Sequence, residues 1–417
     1  MSNLVKHYQN SMKGIPQLTN TWGSMITLLD KILVEGFNFV SILSITKSTP
    51  DAITATINLG AGHGFIDRQV VRIDGATNGW NGDFKVLSAN TDSVFIECLA
   101  SHPQTVAGTA RCSTAPLDFE IVFDTPSDST QPKRAYRSTN PESLGLILLV
   151  HDFCVSGAAV NGTKFAKVGV VSAMSDIDNI TGVQMPFDAQ NSNANWGWDG
   201  TYHGWTKWYY RTYNNGNGGS SPDSTSALAG NSTYNIVGDG KSIVLDTMHS
   251  SFGAHAVYGF CEFYDQKLKS VNLALLASGS QLKVPQAYQY FYSWARGSYH
   301  LCNEAGSESV SGAGLKLNAL IWFDENGVAK WSRAGRNFTF GTLDESQQFA
   351  LVNFDFISTL PILDVNNSPR GVLPFLRISA NQKTEISYST GVGKYVNKYT
   401  AGEARKFVKY TVLLESL

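Results

Sequence analysis

The chain has 417 residues, enough to bury a large core and to form two or three domains. Only 16% of them are charged and the formal net charge is −2, which leaves no electrostatic footprint for nucleic acid or anionic lipid. No run approaches the roughly 18 apolar residues of a membrane-spanning helix, and the opening "MSNLVKHYQNSMKGIPQ" lacks the apolar core of a secretory signal.

The segment before Pro16 has no core of its own. Residues 1–15 read as an N-terminal arm that orders against another subunit as an added strand, the alternative being a frayed terminus. Residues 16–38 follow as a helix. In "PQLTNTWGSMITLLDKILVEGF", Trp22, Met25, Ile26, Leu29, Ile32 and Leu33 recur at helical spacing. Thr19 or Asn20 is placed to cap its start and Gly36 to end it. The expected role is a helix packed on the module that comes next.

After Phe39 the hydrophobic period changes to two. "VSILSITKS", "AITATINL", "QVVRIDG", "GDFKVLSAN", "SVFIECLA" and "AGTARC" are short strands separated by Gly- and Asn-rich turns. Residues 39–112 therefore read as a small β-barrel or sandwich, too small for a large ligand cavity and suited to docking. Its expected core is Ile45, Ile57, Val71, Ile73, Phe84, Val86, Phe95 and Ile96.

Residues 113–417 read as a larger β-rich domain with long loops, and a polar insertion at about 188–232. "LGLILLVHD" and "FAKVGVVSAMSD" are buried strands. "YNIVGDGKSIVLDTMHS" is a hairpin turning at Gly238-Asp239-Gly240, and "LNALIWFDENGVAKWS" another turning at Glu325-Asn326-Gly327. "AHAVYGFCEFYD", "LALLAS", "TEISYST" and "RKFVKYTVLLES" add further strands. The fold class is mainly β.

Motifs for chemistry are wanting. The histidines form no HExxH, HxH or Cys/His cluster, so no metal ligands are assigned. The His151 and Asp152 side chains, adjacent in a strand, point to opposite faces. "GAGHGF" at Gly60–Phe65 lacks the Lys-Ser/Thr and the helix of a phosphate loop and reads as a turn. Asp199, Asp239, Asp246, Glu262 and Asp265 are candidate acids, but nothing in the spacing singles out a catalytic pair. There is no GxSxG nucleophile elbow. The five cysteines, Cys98, Cys112, Cys154, Cys261 and Cys302, form no CxxC pair and read as buried, reduced thiols. The expectation is a non-enzyme with no catalytic residues and no cofactor.

The stretch "NSNANWGWDGTYHGWTKWYYRTYNNGNGGS", Asn191 to Ser220, is dense in rings set among Asn, Gly and Ser. Its Trp196, Trp198, Tyr202, Trp205, Trp208, Tyr209, Tyr210 and Tyr213 are candidates for an interface between subunits or for ligand binding. Burial beneath the chain's own insertions is the plain alternative. The Gly and Asn suggest an irregular path rather than a strand.

The opening "HYQNSMKGIPQLTNTWGSMITLLDKILVEGFN" resembles the start of a group of tailed-bacteriophage structural proteins. "AGHGF", "VVRIDGA" and "NGDFKVLS" resemble their small β-module, and "RAYRST", "VSAMSDID" and "YNIVGDGKSIVL" resemble later segments. The resemblance implies a structural virion component of the tail region (neck or collar, tail surface, or baseplate), made in the host bacterial cytoplasm. Its implied partners are other virion proteins and copies of itself, with no nucleic acid and no membrane span. A tail appendage that binds a host receptor or surface glycan through residues 191–220 is the first alternative. A hydrolase of an envelope polymer is the second.

Overall fold

In the computed structural model, 52% of the chain is strand and 5% helix, so the all-β class inferred from the period-two runs holds. The structure describes residues 4–153, 161–185, 187, 195–196, 206–212, 221–222, 226–248, 255–278, 290–291 and 297–301. Beyond these it describes 316–317, 321–323, 329–331, 357–363, 369–379, 387–390, 393–398 and 409–413.

The N-terminal segment is woven into its own chain. Strand β1 (Lys6–Gln9) pairs antiparallel with β18 (Thr233–Gly238), and Leu18 bridges Ser232. Added-strand pairing was expected against another subunit; the partner here is this chain's own sheet. Tyr8 shows why the segment stays. It is buried, and its hydroxyl donates to Ala115 O at 2.7 Å.

Helix α1 (Ser24–Leu29) runs into a π-helical turn over Asp30–Glu35, and Gly36 ends it at φ 74°. A side chain at Gly36 would also stand 2.6 Å from Thr114 O, so only glycine fits there. The capping expected from Thr19 or Asn20 does not occur. Thr19 Oγ1 instead lies 2.7 Å from Ser24 Oγ, and Gly23 precedes the helix at φ 88°. The apolar side of the helix, with Met25, Ile26, Leu29, Ile32 and Leu33, joins the core of the large sheet rather than that of the small module.

The small module is a closed barrel. Its strands are β2 (Phe37–Ser41), β3 (Ser44–Thr46), β4 (Thr54–Asn58), β5 (Val70–Ala76), β6 (Gly82–Ala89), β7 (Ser93–Glu97) and β8 (Gly108–Thr114), in the order β2-β8-β5-β6-β7-β4-β3. β2 and β3 are the two halves of one bent strand. Ile42 N donates to Ala110 O near β8, and the next amide, Leu43 N, to Asn58 O at the end of β4, both at 2.9 Å. One strand thus satisfies both edges, which removes the free edges of an open sheet. Gly75, at φ 80°, sits in the β5 bulge where a Cβ would be 2.6 Å from Thr109 O.

Alternation fills the barrel. Ile45, Ile57, Val71, Ile73, Phe84, Val86 and Ile96 are buried as expected, around Trp80. Phe95 is not. It is 39% exposed, while its neighbours Val94 and Ile96 point inward. Two consecutive strand residues cannot both face one core.

The larger sheet continues with β9 (Phe119–Asp124), β10 (Lys133–Ser138), β11 (Ile147–His151) and β12 (Lys164–Val171). After the short strands β13 (Met174–Asp176), β14 (Asn179–Ile180) and β15 (Gln184–Met185) comes β16 (Thr206–Arg211), then β17 (Ser221–Pro222) and β18. β19 (Ile243–Met248), β20 (His255–Asp265) and β21 (Ser270–Ser278) complete the order β1-β18-β19-β20-β21-β16-β12-β11-β10-β9. The sheet curls into a half-barrel. The β18–β19 hairpin turns where the sequence placed it, with Asp239 Oδ1 accepting from Lys241 N at 2.8 Å and Ser242 N at 2.9 Å.

A six-stranded C-terminal sheet contains Ile357–Leu363, Pro369–Ser379, Gly393–Lys398 and Lys409–Leu413. Ile321–Phe323 and Ala329–Trp331 pair as the second expected hairpin, whose turn lies outside the described residues. Among the described residues no helix is long and apolar enough to cross a membrane.

Candidate functional site

Part of the aromatic stretch, Thr206–Arg211, is a strand. β16 carries the sequence TKWYYR between β12 and β21, the reverse of the irregular path expected from the surrounding Gly and Asn. The rings suit a sheet covered on both faces, because Trp and Tyr favour strands and bury large areas. Trp208 is fully buried, and its Nε1 donates to Leu276 O at 2.9 Å. Tyr209 is 3% exposed and packs on Phe165 with ring centroids 5.4 Å apart. Tyr210 is fully buried. These three side chains belong to the core and offer a partner no surface. Trp196 is half-buried, its Nε1 donating to Ile177 O at 3.2 Å. Trp198, Tyr202, Trp205 and Tyr213 lie outside the described residues.

Tyr210 leads to a buried carboxylate. Its hydroxyl donates to Asp152 Oδ1 at 2.7 Å, while Asp152 Oδ2 accepts from Met25 N at 2.8 Å and Ile26 N at 3.4 Å. Asp152 is thus the N-terminal cap of α1, supplied from β11's end rather than from the residues before the helix. Burial raises its pKa to about 7, against the pull of Tyr210 and of the Met25 and Ile26 amides. Burial also lowers Lys164 to about 8, with Asp152 opposing. The Lys164 ammonium lies 4.7 Å from the centre of the Trp22 ring. This cluster fastens the helix to the sheet.

A cleft of about 790 Å³ lies where β1, the barrel and the segment leading to β9 meet, lined by Lys6, Arg72, Asp74, Asp83, Asp118 and Glu142 among others. Four of these charges, Lys6, Arg72, Asp83 and Asp118, pair with one another. Lys6 Nζ is 2.6 Å from Asp83 Oδ2 and 3.1 Å from Asp118 Oδ2, and it also donates to Pro116 O. Arg72 holds Asp83 through Nε at 2.6 Å and Nη2 at 2.9 Å, and Asp118 Oδ1 at 2.6 Å. Burial works against ionised Asp83, but Arg72 and Lys6 outweigh it and keep its pKa below the usual range. Four residues from three segments thus pin the barrel to the large sheet. Sequence reasoning missed them, since no local pattern joins positions so far apart.

The acids weighed as catalysts have structural partners. Asp239 holds its hairpin turn. Glu262 Oε1 accepts from Ser143 Oγ at 2.7 Å and Leu144 N at 2.9 Å. Asp246 is buried, with Asn235 Nδ2 3.4 Å away. Asp265 is fully buried against Arg370. Asp199 lies outside the described residues. His63, in the "GAGHGF" turn, is a latch, with Nε2 2.8 Å from Asn90 O and Nδ1 accepting from Phe65 N at 3.0 Å. Of the cysteines expected to be buried, Cys112 and Cys261 are buried thiols whose pKa burial raises, Cys98 is only half-buried, and the Cys154 and Cys302 side chains lie outside the described residues. Among the described residues no three of His, Cys, Asp and Glu converge as a metal-ligand set.

No protein-family model matches the chain, and no curated protein does. Among solved structures it is similar to one titled "Phage phi92 endosialidase", at 11% identity and a TM-score of 0.16, the match covering 84% of this chain and 63% of that one. At that score the two chains share no demonstrable fold.

Proposed function

We propose that this protein is a non-enzymatic structural component of a tailed-phage virion, in the tail region, and that its barrel docks onto a neighbouring virion protein. The reading rests on the resemblance of its N-terminal and barrel segments and on one observation about the surface. Of the eleven large hydrophobic residues exposed among the described residues, six belong to the barrel: Phe39, Leu43, Ile53, Ile66, Phe95 and Leu99. Ile53 and Leu99 are 67% and 62% exposed beside the Cys98 N to Ile53 O hydrogen bond, at the end of the wall where β4 and β7 pair. Phe95 stands on that wall opposite Thr56.

Apolar side chains concentrated on one module mark an interaction surface better than singly scattered ones. Burying one such side chain contributes roughly 1.5–3 kcal/mol. The barrel's core is filled by its own side chains, so its outer wall is what it has to offer. The appendage reading loses Trp208, Tyr209 and Tyr210, which are buried, and keeps the half-buried Trp196.

The test is incorporation into particles. Phe95→Glu combined with Leu99→Glu should leave the isolated chain folded and soluble but sharply reduce its amount in purified virions. Normal incorporation of the double variant sinks the barrel-docking reading.

A further inference from the structure

Four of the five exposed large hydrophobic residues that lie outside the barrel, among the described residues, gather at the β20–β21 hairpin. Tyr264 on β20 is directly opposite Val271 on β21, so the two side chains share one face. Leu268 is in the turn between them. Val372 joins from the strand Pro369–Ser379. Gln266 N donates to Arg370 O at 2.6 Å, and the next residue, Gly371, passes so close that a Cβ there would stand 2.5 Å from Tyr264 O. All four are exposed, Tyr264 most, at 57%.

The exposed charge on this hairpin has one sign. Lys267 and Lys269 are exposed in the turn, while the one acid between Tyr264 and Val271, Asp265, is fully buried in its pair with Arg370. The barrel's outer wall has the opposite sign. Phe95, Glu97 and Leu99 alternate along it and are exposed. Asp51 lies two residues before Ile53 at one end of the wall, and Asp92 is at the other. Among the described residues none of Asp51, Asp92 and Glu97 enters an ion pair. Lys47, near Leu99, is buried, with its ammonium turned onto the carbonyls of Ala100 and His102 at 2.8 and 3.0 Å.

Each surface is thus apolar, one edged by carboxylates and the other by ammonium groups. Charge of opposite sign around apolar centres fixes partner and register. Both surfaces are exposed in the single chain, so neither covers the other within it.

We propose that the hairpin patch of one copy of this chain receives the barrel wall of the next, with Lys267 and Lys269 set among Asp51, Asp92 and Glu97. The contact is heterologous: each copy gives its barrel to one neighbour and its hairpin to another, as in a ring that closes or a filament that does not. The inference rests on the docking reading of the barrel and names the partner as a second copy.

The experiment is sedimentation velocity on the purified full chain. The wild type should associate as its concentration rises, and less so in high salt. Leu268→Glu with Lys269→Glu spoils the hairpin, and Phe95→Glu with Leu99→Glu spoils the wall. Each double variant alone should stay monomeric. Their equimolar mixture should form a one-to-one dimer, because one variant keeps an intact wall and the other an intact hairpin. A wild type that is monomeric up to its solubility limit overturns the proposal. So does a hairpin variant that associates as the wild type does, or a mixture without a dimer. Should a double variant fail to fold, Glu97→Lys and Lys269→Glu, both at exposed positions, replace it. Each should weaken association about tenfold, and unchanged association in both overturns the proposal. A monomeric wild type whose wall variant is nonetheless lost from virions overturns this inference alone, leaving the barrel docked on a different virion protein.

Discussion

The hydroxyl of Tyr210, in the middle of the large sheet, donates to Asp152 Oδ1 at 2.7 Å, and the same carboxylate caps the first amides of helix α1. One aromatic residue of the ring-rich stretch therefore holds the helix by way of an acid. Above about pH 7, where Asp152 is ionised, Tyr210→Phe should destabilise the chain by roughly 1.5–3 kcal/mol, the range for a hydrogen bond to a charged group. Chemical denaturation measures it, and a loss below about 0.5 kcal/mol would show that the bond is dispensable.

The same carboxylate gives a pH dependence. Asp152 is raised to about 7 in the fold, chiefly by burial, from about 3.9 when unfolded. Its contribution is fully present below about 4 and is lost as pH rises through about 7. Lys164, lowered to about 8 by burial from about 10.4 when unfolded, acts above that window and in the opposite sense. Stability should thus fall toward neutral pH, pass a minimum near pH 7–8, and partly recover above it. Asp152→Asn should flatten the falling limb. Parallel pH profiles for the variant and the wild type would rule this out.

Asp265 and Arg370 join β20 to the C-terminal sheet through a fully buried pair, Oδ1 to Nε at 3.0 Å and Oδ2 to Nη2 at 2.5 Å. Burial disfavours the carboxylate, yet Arg370, Asn272 and the Leu268 and Lys267 amides hold Asp265 at about 2. Its contribution is present above about 4 and is lost as pH falls through about 2. Asp265→Ala strands the guanidinium and should cost about 3–5 kcal/mol. The double change Asp265→Leu with Arg370→Met should cost clearly less. A double variant as unstable as the single one would mean the pair is a net stabiliser rather than a mutual neutralisation.

Phe84 and Phe95 test the barrel's phase. Phe84 is 6% exposed against Trp80, and Phe84→Ala should cost roughly 3–5 kcal/mol. Phe95 is on the outer wall, and Phe95→Ala should change stability by no more than about 0.5 kcal/mol. Equal losses at the two positions would put the wall and the core in the wrong places.

Limited proteolysis tests the N-terminal segment. With β1 paired to β18, and Lys6 held by Asp83 and Asp118, cleavage between residues 6 and 18 should be slow in the isolated chain. Lys6→Met should speed it by loosening the junction. Rapid cutting of the wild type there would show an arm free until assembly.

Periodicity and turn chemistry determined the all-β class, the strands of the barrel, both hairpins and the existence of one helix. Those signals are local, a two-residue alternation or a Gly-Asp-Gly turn, and survive without knowledge of neighbours. Tertiary structure decided the rest. Val94, Phe95 and Ile96 are all apolar, so alternation alone leaves the phase open; pairing with β4 and β6 sets Val94 and Ile96 inward. The helix joined the large sheet because Asp152, 127 residues from Met25, caps it there. Gly and Asn around β16 suggested a loop, but sheet neighbours on both sides made Trp208 and Tyr210 core residues. The side-by-side placing of Lys133, His151, Lys167 and Lys207 on β10, β11, β12 and β16 has no sequence pattern at all, because strand register is a property of the folded sheet.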